Sequence, residues 1–154
     1  MDISSCLSES AVSLHVDGSD KPEILRRLVD VFVESAALDI GADVLNLLLE
    51  REKLKTTGIG SGVAIPHCKT AAVDRPHIVV GLSRKGIDFQ SLDKLPTHMF
   101  FLVVAPQQAG ATHLKICARI ARLVKDTKFK AELLELQSAE DVVAYIKERE
   151  SGMS

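Results

Sequence analysis

The residues best suited to chemistry lie in one segment, residues 56–67, where three glycines alternate before an apolar run that ends in a Pro-His pair. Glycine has no Cβ, so its backbone can turn tightly and approach an anion closely. Pro66 favours extended geometry at Ile65, which predicts that His67 lies where a short strand ends. Backbone N–H groups bind phosphate oxygens, and a neutral imidazole (pKa about 6.5) can attack phosphorus at neutral pH. The segment therefore favours phosphate chemistry at His67.

Two further residues could complete such a site, although neither is distinctive by itself. His113 falls in the first turn of a predicted helix, whose electropositive end would hold an imidazole neutral and attract anions. Arg51 closes another predicted helix, and its planar guanidinium could bind the oxygens of a phosphoryl group in transfer. An exposed first-turn histidine and an ordinary helix-ending cation are the alternative interpretations.

Other chemistries receive less support. The Gly58-x-Gly60-x-Gly62 pattern has the wrong spacing for a dinucleotide site, and no Gly-Lys-Ser/Thr follows that would make a P-loop. A plain turn is the alternative for these glycines. A reactive thiol at Cys68 rests on one cysteine beside a histidine, which is weak support. We expect no metal site, because zinc-site spacing is absent among the residues that could ligate one, namely His67, Cys68, His77, His98 and His113.

Composition predicts an ordinary globular protein with one domain over residues 1–154. Hydrophobic residues make up 46% and charged residues 26% of the chain, and the net charge of -2 gives no basic surface for nucleic acid. No apolar run approaches the roughly 18 residues that cross a bilayer, and the N-terminus lacks the features of a signal peptide. Three cysteines without CxxC spacing favour a reducing compartment. We therefore expect a cytoplasmic protein without membrane insertion.

The helical pattern is recognised by apolar stripes and by capping residues. Asp20 or Ser19 is predicted to cap a first helix that carries the stripe from Ile24 to Ala36. A second helix is predicted to be capped near Asp43, to run to about Lys55 and to be ended by Gly58. Thr112 is predicted to cap a third helix. Residues 129–136 are predicted to form a short fourth helix, and Ser138 is predicted to open the last helix. The third helix is predicted to bury Leu114, Cys117, Ala118, Ala121 and Val124.

The strand pattern is clearest in residues 99–104, an apolar run without alternation, which predicts a central strand covered on both faces. Residues 78–82 form a second predicted strand, residues 86–89 a weaker one, and residues 13–16 a short half-buried one. Helices interleaved with these strands predict a single α/β sandwich of about five strands, with helices on both faces of the sheet.

The motif residues also resemble a known family. Glu50-Arg51-Glu52, followed by TGIGSGVAIPHCK at residues 57–69, is similar to the active-site block of the fructose/mannitol-type enzyme IIA domains of the bacterial phosphoenolpyruvate:sugar phosphotransferase system. His113, which opens a helix, matches the second active-site histidine of that family. The resemblance extends in order over essentially the whole chain.

This resemblance implies a mixed sheet between helices and a role for each site residue. His67 would be the nucleophile that accepts the phosphoryl group, His113 would stabilise that group, and Arg51 would stabilise its charge. The resemblance implies no cofactor. The residues assigned to a phosphate loop are Thr57, Gly58, Gly60 and Gly62.

The resemblance further implies protein partners. The phosphoryl donor would be the phosphocarrier HPr or its nitrogen-branch paralogue. Residues 50–54 and the following loop are most similar to the nitrogen-regulatory enzyme IIA, whose phosphorylation state is read by potassium transporters and sensor kinases. The alternative is a sugar-transport IIA that passes phosphate to a cysteine of a IIB domain. Cys68 stands where the nitrogen-regulatory proteins usually have glycine, between His67 and Lys69.

Overall fold

Strand β6 (Thr97–Pro106) is the central strand of the computed structural model, which describes residues 2–153. Every residue from position 99 to position 105 is buried. Because successive side chains of a strand point to opposite faces of the sheet, this burial means that both faces are covered. The prediction of a central strand in this apolar run is confirmed.

The sheet around β6 is mixed. Its strands are β1 (Val12–Ser13), β2 (Gly58–Gly60), β3 (Val63–Ala64), β4 (His67–Thr70), β5 (His77–Ile87) and β6. The strand order is β1-β5-β6-β3-β2, and β4 pairs with β6 beyond the end of β3. The β5–β6 and β2–β3 pairs are antiparallel, whereas β1 runs parallel to β5, and β3 and β4 run parallel to β6. The α/β fold class is confirmed, with six strands in place of about five.

Five α-helices cover this sheet: α1 (Lys21–Ala36), α2 (Gly41–Leu54), α3 (Thr112–Leu123), α4 (Thr127–Glu135) and α5 (Ala139–Ser151). Helix α1 packs on β5, α2 on β4, α3 on β6 and β4, α4 on β5, and α5 on β1. In residues 2–153, no helix combines the length and the apolarity needed to cross a bilayer. The predicted caps of α1 and α5 are confirmed, since Asp20 and Ser138 each accept a backbone N–H three residues ahead.

Two other predicted caps are wrong. Helix α2 begins at Gly41, before Asp43, and the residue that precedes it offers no side-chain cap. Thr112 lies inside α3, and its hydroxyl donates backwards to the carbonyl of Ala109 at 2.7 Å. Gly58 does not end α2 either, because the helix stops at Leu54 and Gly58 begins β2.

The buried stripe of α3 is also shifted from its predicted position. The helix buries Ile116, Ile120 and Leu123, while Leu114 is 56% exposed and Cys117 is only partly buried. Apolar residues occur on two adjacent faces of this helix, so the periodicity alone does not determine which one packs on the sheet.

The strand boundaries differ from prediction in three places. The weak strand at residues 86–89 is the end of β5, which continues to Ile87 after an irregularity in its pairing with β6. The first strand is shorter and earlier, at residues 12–13. His67 begins β4 and does not end a strand, because Pro66 separates β3 from β4.

The two ends of the described chain are joined by Glu150, a buried carboxylate that is 3% exposed. It accepts hydrogen bonds from the backbone N–H groups of Ile3 (2.6 Å) and Ser4 (3.0 Å) and from Nε of Arg119 (2.6 Å). Burial alone raises the pKa of Glu150, but the Arg119 guanidinium and the two amides outweigh it, so the pKa is lowered. Together, the three donors favour the ionised carboxylate.

We expect Glu150→Gln to lower the free energy of unfolding by about 2–4 kcal/mol, because its amide group meets buried donors that need an acceptor. The wild-type stabilisation is complete above the ordinary glutamate pKa of about 4.3 and is lost as the pH falls through the lowered folded value. Urea unfolding at several pH values measures both effects. Glu148→Gln, on an exposed residue of the same helix, is the control. Equal stability of the two variants at pH 7 would contradict this role of Glu150.

Candidate functional site

A cavity of about 430 Å³ opens where α2, β4 and the start of α3 meet. It brings together the three predicted chemical residues, Arg51, His67 and His113, although they come from distant parts of the sequence. The other residues that line it are Leu47, Glu50, Leu54, Cys68, Lys69 and Gln107.

His67 is oriented by a break in strand pairing. Its register partner in β6 is Val103, whose N–H donates to the carbonyl of Pro66 at 2.9 Å. The carbonyl of Ile65 lies between β3 and β4 and accepts a hydrogen bond from Nδ1 of His67 at 2.8 Å. Since a carbonyl can only accept, Nδ1 carries the proton and Nε2 keeps its lone pair. The ring is therefore held in the tautomer in which Nε2 is the nucleophilic atom.

His113 lies beside His67, with ring centroids 6.0 Å apart and ring planes inclined at 35°. Its Nδ1 atom is buried and has no hydrogen-bond partner among residues 2–153. Burial is the main cause that lowers the pKa of His113; the positive charge of Lys69 lowers it further, as does His67 whenever its own ring is protonated, and the backbone of Gly110 opposes them. The lowered pKa favours the neutral imidazole at neutral pH.

Arg51 supplies the positive charge from the last turn of α2. Its Nη1 donates to the carbonyl of Lys55 at 2.7 Å, which caps the end of the helix. Within residues 2–153, no carboxylate forms an ion pair with this guanidinium. The guanidinium therefore has unused N–H donors with which to bind an anion in the cavity.

The position of Arg51 is stabilised by its neighbour Glu52. The buried Glu52 carboxylate pairs with Nζ of Lys21 at 2.8 Å, and it accepts both the N–H (3.0 Å) and the hydroxyl of Thr57. A buried ion pair is costly unless its remaining hydrogen-bonding capacity is used, and here three donors converge on one carboxylate. This network ties the end of α2, the start of α1 and the entry to β2 into one unit.

The structure does not bring the predicted phosphate-loop residues to the cavity. Thr57 is buried and is occupied by Glu52, while the glycines belong to a hairpin formed by β2 and β3. A Cβ at Gly58 would overlap Ser91. Gly60 and Gly62 have φ angles of 96° and 82°, which favour glycine, because they form the tight turn of that hairpin. These contacts assign the glycines to folding and close packing.

Several lining residues were missed from the sequence. Lys69 is two residues after His67 in β4, so the two-residue period of a strand places both side chains on one face. This spacing is the sequence signal that could have identified Lys69. Leu47 and Leu54 line the cavity although they are 40% and 83% exposed. Gln107 begins a short 3-10 helix, Gln107–Ala109, and no sequence signal distinguishes it.

The alternative chemistries receive no support from the site. Burial raises the pKa of the Cys68 thiol to about 12, which keeps it protonated and unreactive at neutral pH. Across residues 2–153, no three His, Cys, Asp or Glu side chains lie close enough together to hold a metal ion. His98 is occupied by a hydrogen bond between its Nδ1 and the carbonyl of Ser83.

Residues 5–149 match the family model described as phosphoenolpyruvate-dependent sugar phosphotransferase system, EIIA 2. A fructose-specific EIIABC component of Bacillus subtilis is 32% identical over 97% of this chain, which spans only 24% of that relative. A fructose-specific EIIA component of Haloferax volcanii is 34% identical over 96% of this chain and 97% of its own length. A nitrogen regulatory protein of Bradyrhizobium diazoefficiens is also 34% identical, over 95% of both chains.

The fold is similar to that of a solved nitrogen regulatory protein. The crystal structure of IIA-Ntr from Neisseria meningitidis superimposes with a TM-score of 0.85 at 28% sequence identity. The similarity covers 94% of this chain and 98% of that one.

The electrostatics of the cavity give a direct test. We expect Lys69→Gln to raise the pKa of His113, because it removes the positive charge that, after burial, contributes most to lowering it. A pH titration of the histidine ring resonances by NMR measures the midpoint. Lys85→Gln, on another exposed lysine of the sheet, is expected to leave it unchanged. A midpoint that does not rise in Lys69→Gln would contradict the assigned geometry.

Proposed function

The chain belongs to the EIIA 2 family of the phosphoenolpyruvate-dependent sugar phosphotransferase system, and from this premise we propose that Nε2 of His67 carries the phosphoryl group. The family is one of phosphotransfer carriers. The observation that supports this residue and atom most strongly is the hydrogen bond from Nδ1 of His67 to the Ile65 carbonyl. It leaves the Nε2 lone pair as the free nucleophile of the cavity.

In the proposed reaction, Nε2 attacks the phosphorus of a phosphohistidine on the donor protein. A new N–P bond forms at Nε2 while the N–P bond of the donor breaks, and the donor imidazole leaves with its electron pair. No proton has to move between the rings, because His67 keeps its proton on Nδ1 throughout. The Ile65 carbonyl stabilises the positive charge that develops on the ring as the new bond forms.

Arg51 and His113 complete the proposed site by holding the phosphoryl oxygens. The guanidinium of Arg51 binds them with its planar fork, which is suited to a group in transfer. His113 offers a neutral N–H donor from a ring whose centroid is 6.0 Å from that of His67. A phosphoryl group brings about 1.5–2 negative charges, which would raise the pKa of His113 and strengthen this hydrogen bond.

The surface around the cavity suits protein partners. Leu47, Leu54 and Leu114, exposed by 40%, 83% and 56%, lie in or next to the lining, where they surround a polar centre with apolar area. Exposed leucines in such an arrangement are typical of docking surfaces. We assign the donor role to HPr or its nitrogen-branch paralogue, and the three free cysteines support a cytoplasmic location for that encounter.

The output of the phosphorylated protein has two candidates. We favour regulation, in which a potassium transporter or a sensor kinase reads the phosphorylation state, because one solved structure of similar fold, at 28% sequence identity, is that of IIA-Ntr. Transfer to the cysteine of a IIB domain is the second candidate, because two of the similar relatives are named fructose-specific. Transfer to a supplied IIB domain would favour transport, and retention of the group would favour regulation.

Incubation with phosphoenolpyruvate, enzyme I and HPr or its paralogue tests the nucleophile. We expect an acid-labile mass increase of about 80 Da, one phosphoryl group, in the wild type and none in His67→Gln. His15→Gln, on an exposed histidine outside the cavity, is expected to label normally. Labelling of His67→Gln would contradict the proposal.

The docking surface is tested by Leu54→Glu. We expect this change to lower kcat/KM for phosphorylation by the donor about tenfold, through a higher KM, because it buries a charge in the apolar contact. Leu92→Glu, on a leucine that is 56% exposed outside the cavity, is the control. Both variants should unfold at similar urea concentrations. Equal rates for the two variants would remove the support for docking at this surface.

A further inference from the structure

A second cavity, of about 270 Å³, is formed by residues 5–11, the C-terminal part of α1 and the start of β5. Phe32, Ile78 and Val79 provide apolar walls, and Arg75 and His77 are the groups in its lining that can carry a positive charge. Phe32 meets the His77 ring edge-on, with centroids 5.4 Å apart.

This cavity is separate from the site at His67. In the sheet, His77 pairs with Val104, which also pairs with Cys68, the neighbour of His67. Because side chains alternate along a strand, His77 lies on the face shared with Cys68, opposite to the face of His67. Two strand spacings, about 10 Å, separate β5 from β4. A ligand here would not contact the phosphoryl group.

Arg75 and His77 have unused hydrogen-bonding capacity. Among residues 2–153, the Arg75 guanidinium pairs with no carboxylate, although Asp74 is its neighbour in sequence. Burial is the main cause that lowers the pKa of His77, and the charge of Arg75 adds to it while that of Asp74 opposes it. The same guanidinium charge opposes the effect of burial on the pKa of Cys6, on the other wall. Arg75 therefore acts on both sides of the cavity.

A cluster of serine hydroxyls adjoins these groups. Ser8 and Ser35 line the cavity, and their oxygens lie 3.2 Å apart. Ser10 completes the cluster at 3.0 Å from Ser8 and 2.8 Å from Ser35. Hydroxyl hydrogens rotate freely, so the cluster can turn a donor towards an incoming acceptor.

We propose that this second cavity binds a small oxyanion-bearing metabolite through Arg75 and His77. A guanidinium without a carboxylate partner matches the paired oxygens of a phosphate or a carboxylate. The imidazole and the hydroxyls add further hydrogen-bond donors, and the apolar walls bound the space that a small ligand would occupy. The volume admits inorganic phosphate, a short phosphate ester or a short dicarboxylate. The proposal does not depend on the function assigned to His67.

The test follows the His77 ring and the amides of residues 75–79 by NMR while inorganic phosphate or, separately, succinate is added at constant ionic strength. We expect saturable shifts with a Kd of about 1 mM for at least one of the two anions. Binding of phosphate alone would identify a phosphate site, and binding of succinate alone a carboxylate site. Absence of saturable shifts with both anions at about 20 mM would overturn the proposal.

Matched variants separate this cavity from other anion sites. Arg75→Gln is expected to weaken binding about tenfold or more, because it removes charged hydrogen bonds, and Arg75→Lys to weaken it less. Arg27→Gln, on an exposed arginine of α1, and His67→Gln should leave the affinity unchanged. Equal affinity in Arg75→Gln, or loss of binding in His67→Gln, would overturn the proposal. An amide spectrum that changes only around the substituted residue verifies that each variant is folded.

Discussion

The site depends on one interruption of strand pairing beside β6. Strands β3 and β4 both run parallel to β6, but Pro66 lies between them and has no N–H to donate to a continuous ladder. The carbonyl of Ile65 is thereby left to accept the Nδ1 proton of His67. A strand without this break would use its carbonyls for the sheet, and the imidazole would be free to rotate. A backbone irregularity thus sets both the direction and the tautomer of the His67 ring.

The residues around His67 are placed by contacts that are distant in sequence. Arg51 is positioned because Glu52 joins Lys21 and Thr57 in a buried network, and His113 because α3 packs on β6 and β4. The buried ion pair between Lys21 and Glu52 contributes little to stability by itself, because the cost of desolvating the two charges offsets their attraction. Its effect is structural specificity, because only one arrangement of the end of α2 satisfies all of its donors. Phosphoryl transfer relies mainly on such positioning and on stabilisation of charge.

The sequence was most informative where a residue type had one physical use. The apolar run of β6 and the caps Asp20 and Ser138 predicted their elements correctly, and Arg51, His67 and His113 were selected as the residues that now share a cavity. The glycines had two uses, since a backbone without Cβ suits an anion loop and a tightly packed hairpin equally well. Only the tertiary contacts of the glycines with Ser91 and Asp93 distinguish between these two uses. The exposure of Leu114 and the role of Lys69 likewise depend on how α3 and β4 pack.

The central claim is that the bond between Nδ1 of His67 and the Ile65 carbonyl directs phosphorylation to Nε2. The most direct test is the coupling between ³¹P and ¹⁵N in the phosphorylated protein labelled at its histidine rings. The account predicts that phosphorus couples directly to Nε2 of His67 and that Nδ1 retains its proton. Direct coupling of phosphorus to Nδ1 would contradict it, because that atom would have had to leave the Ile65 carbonyl.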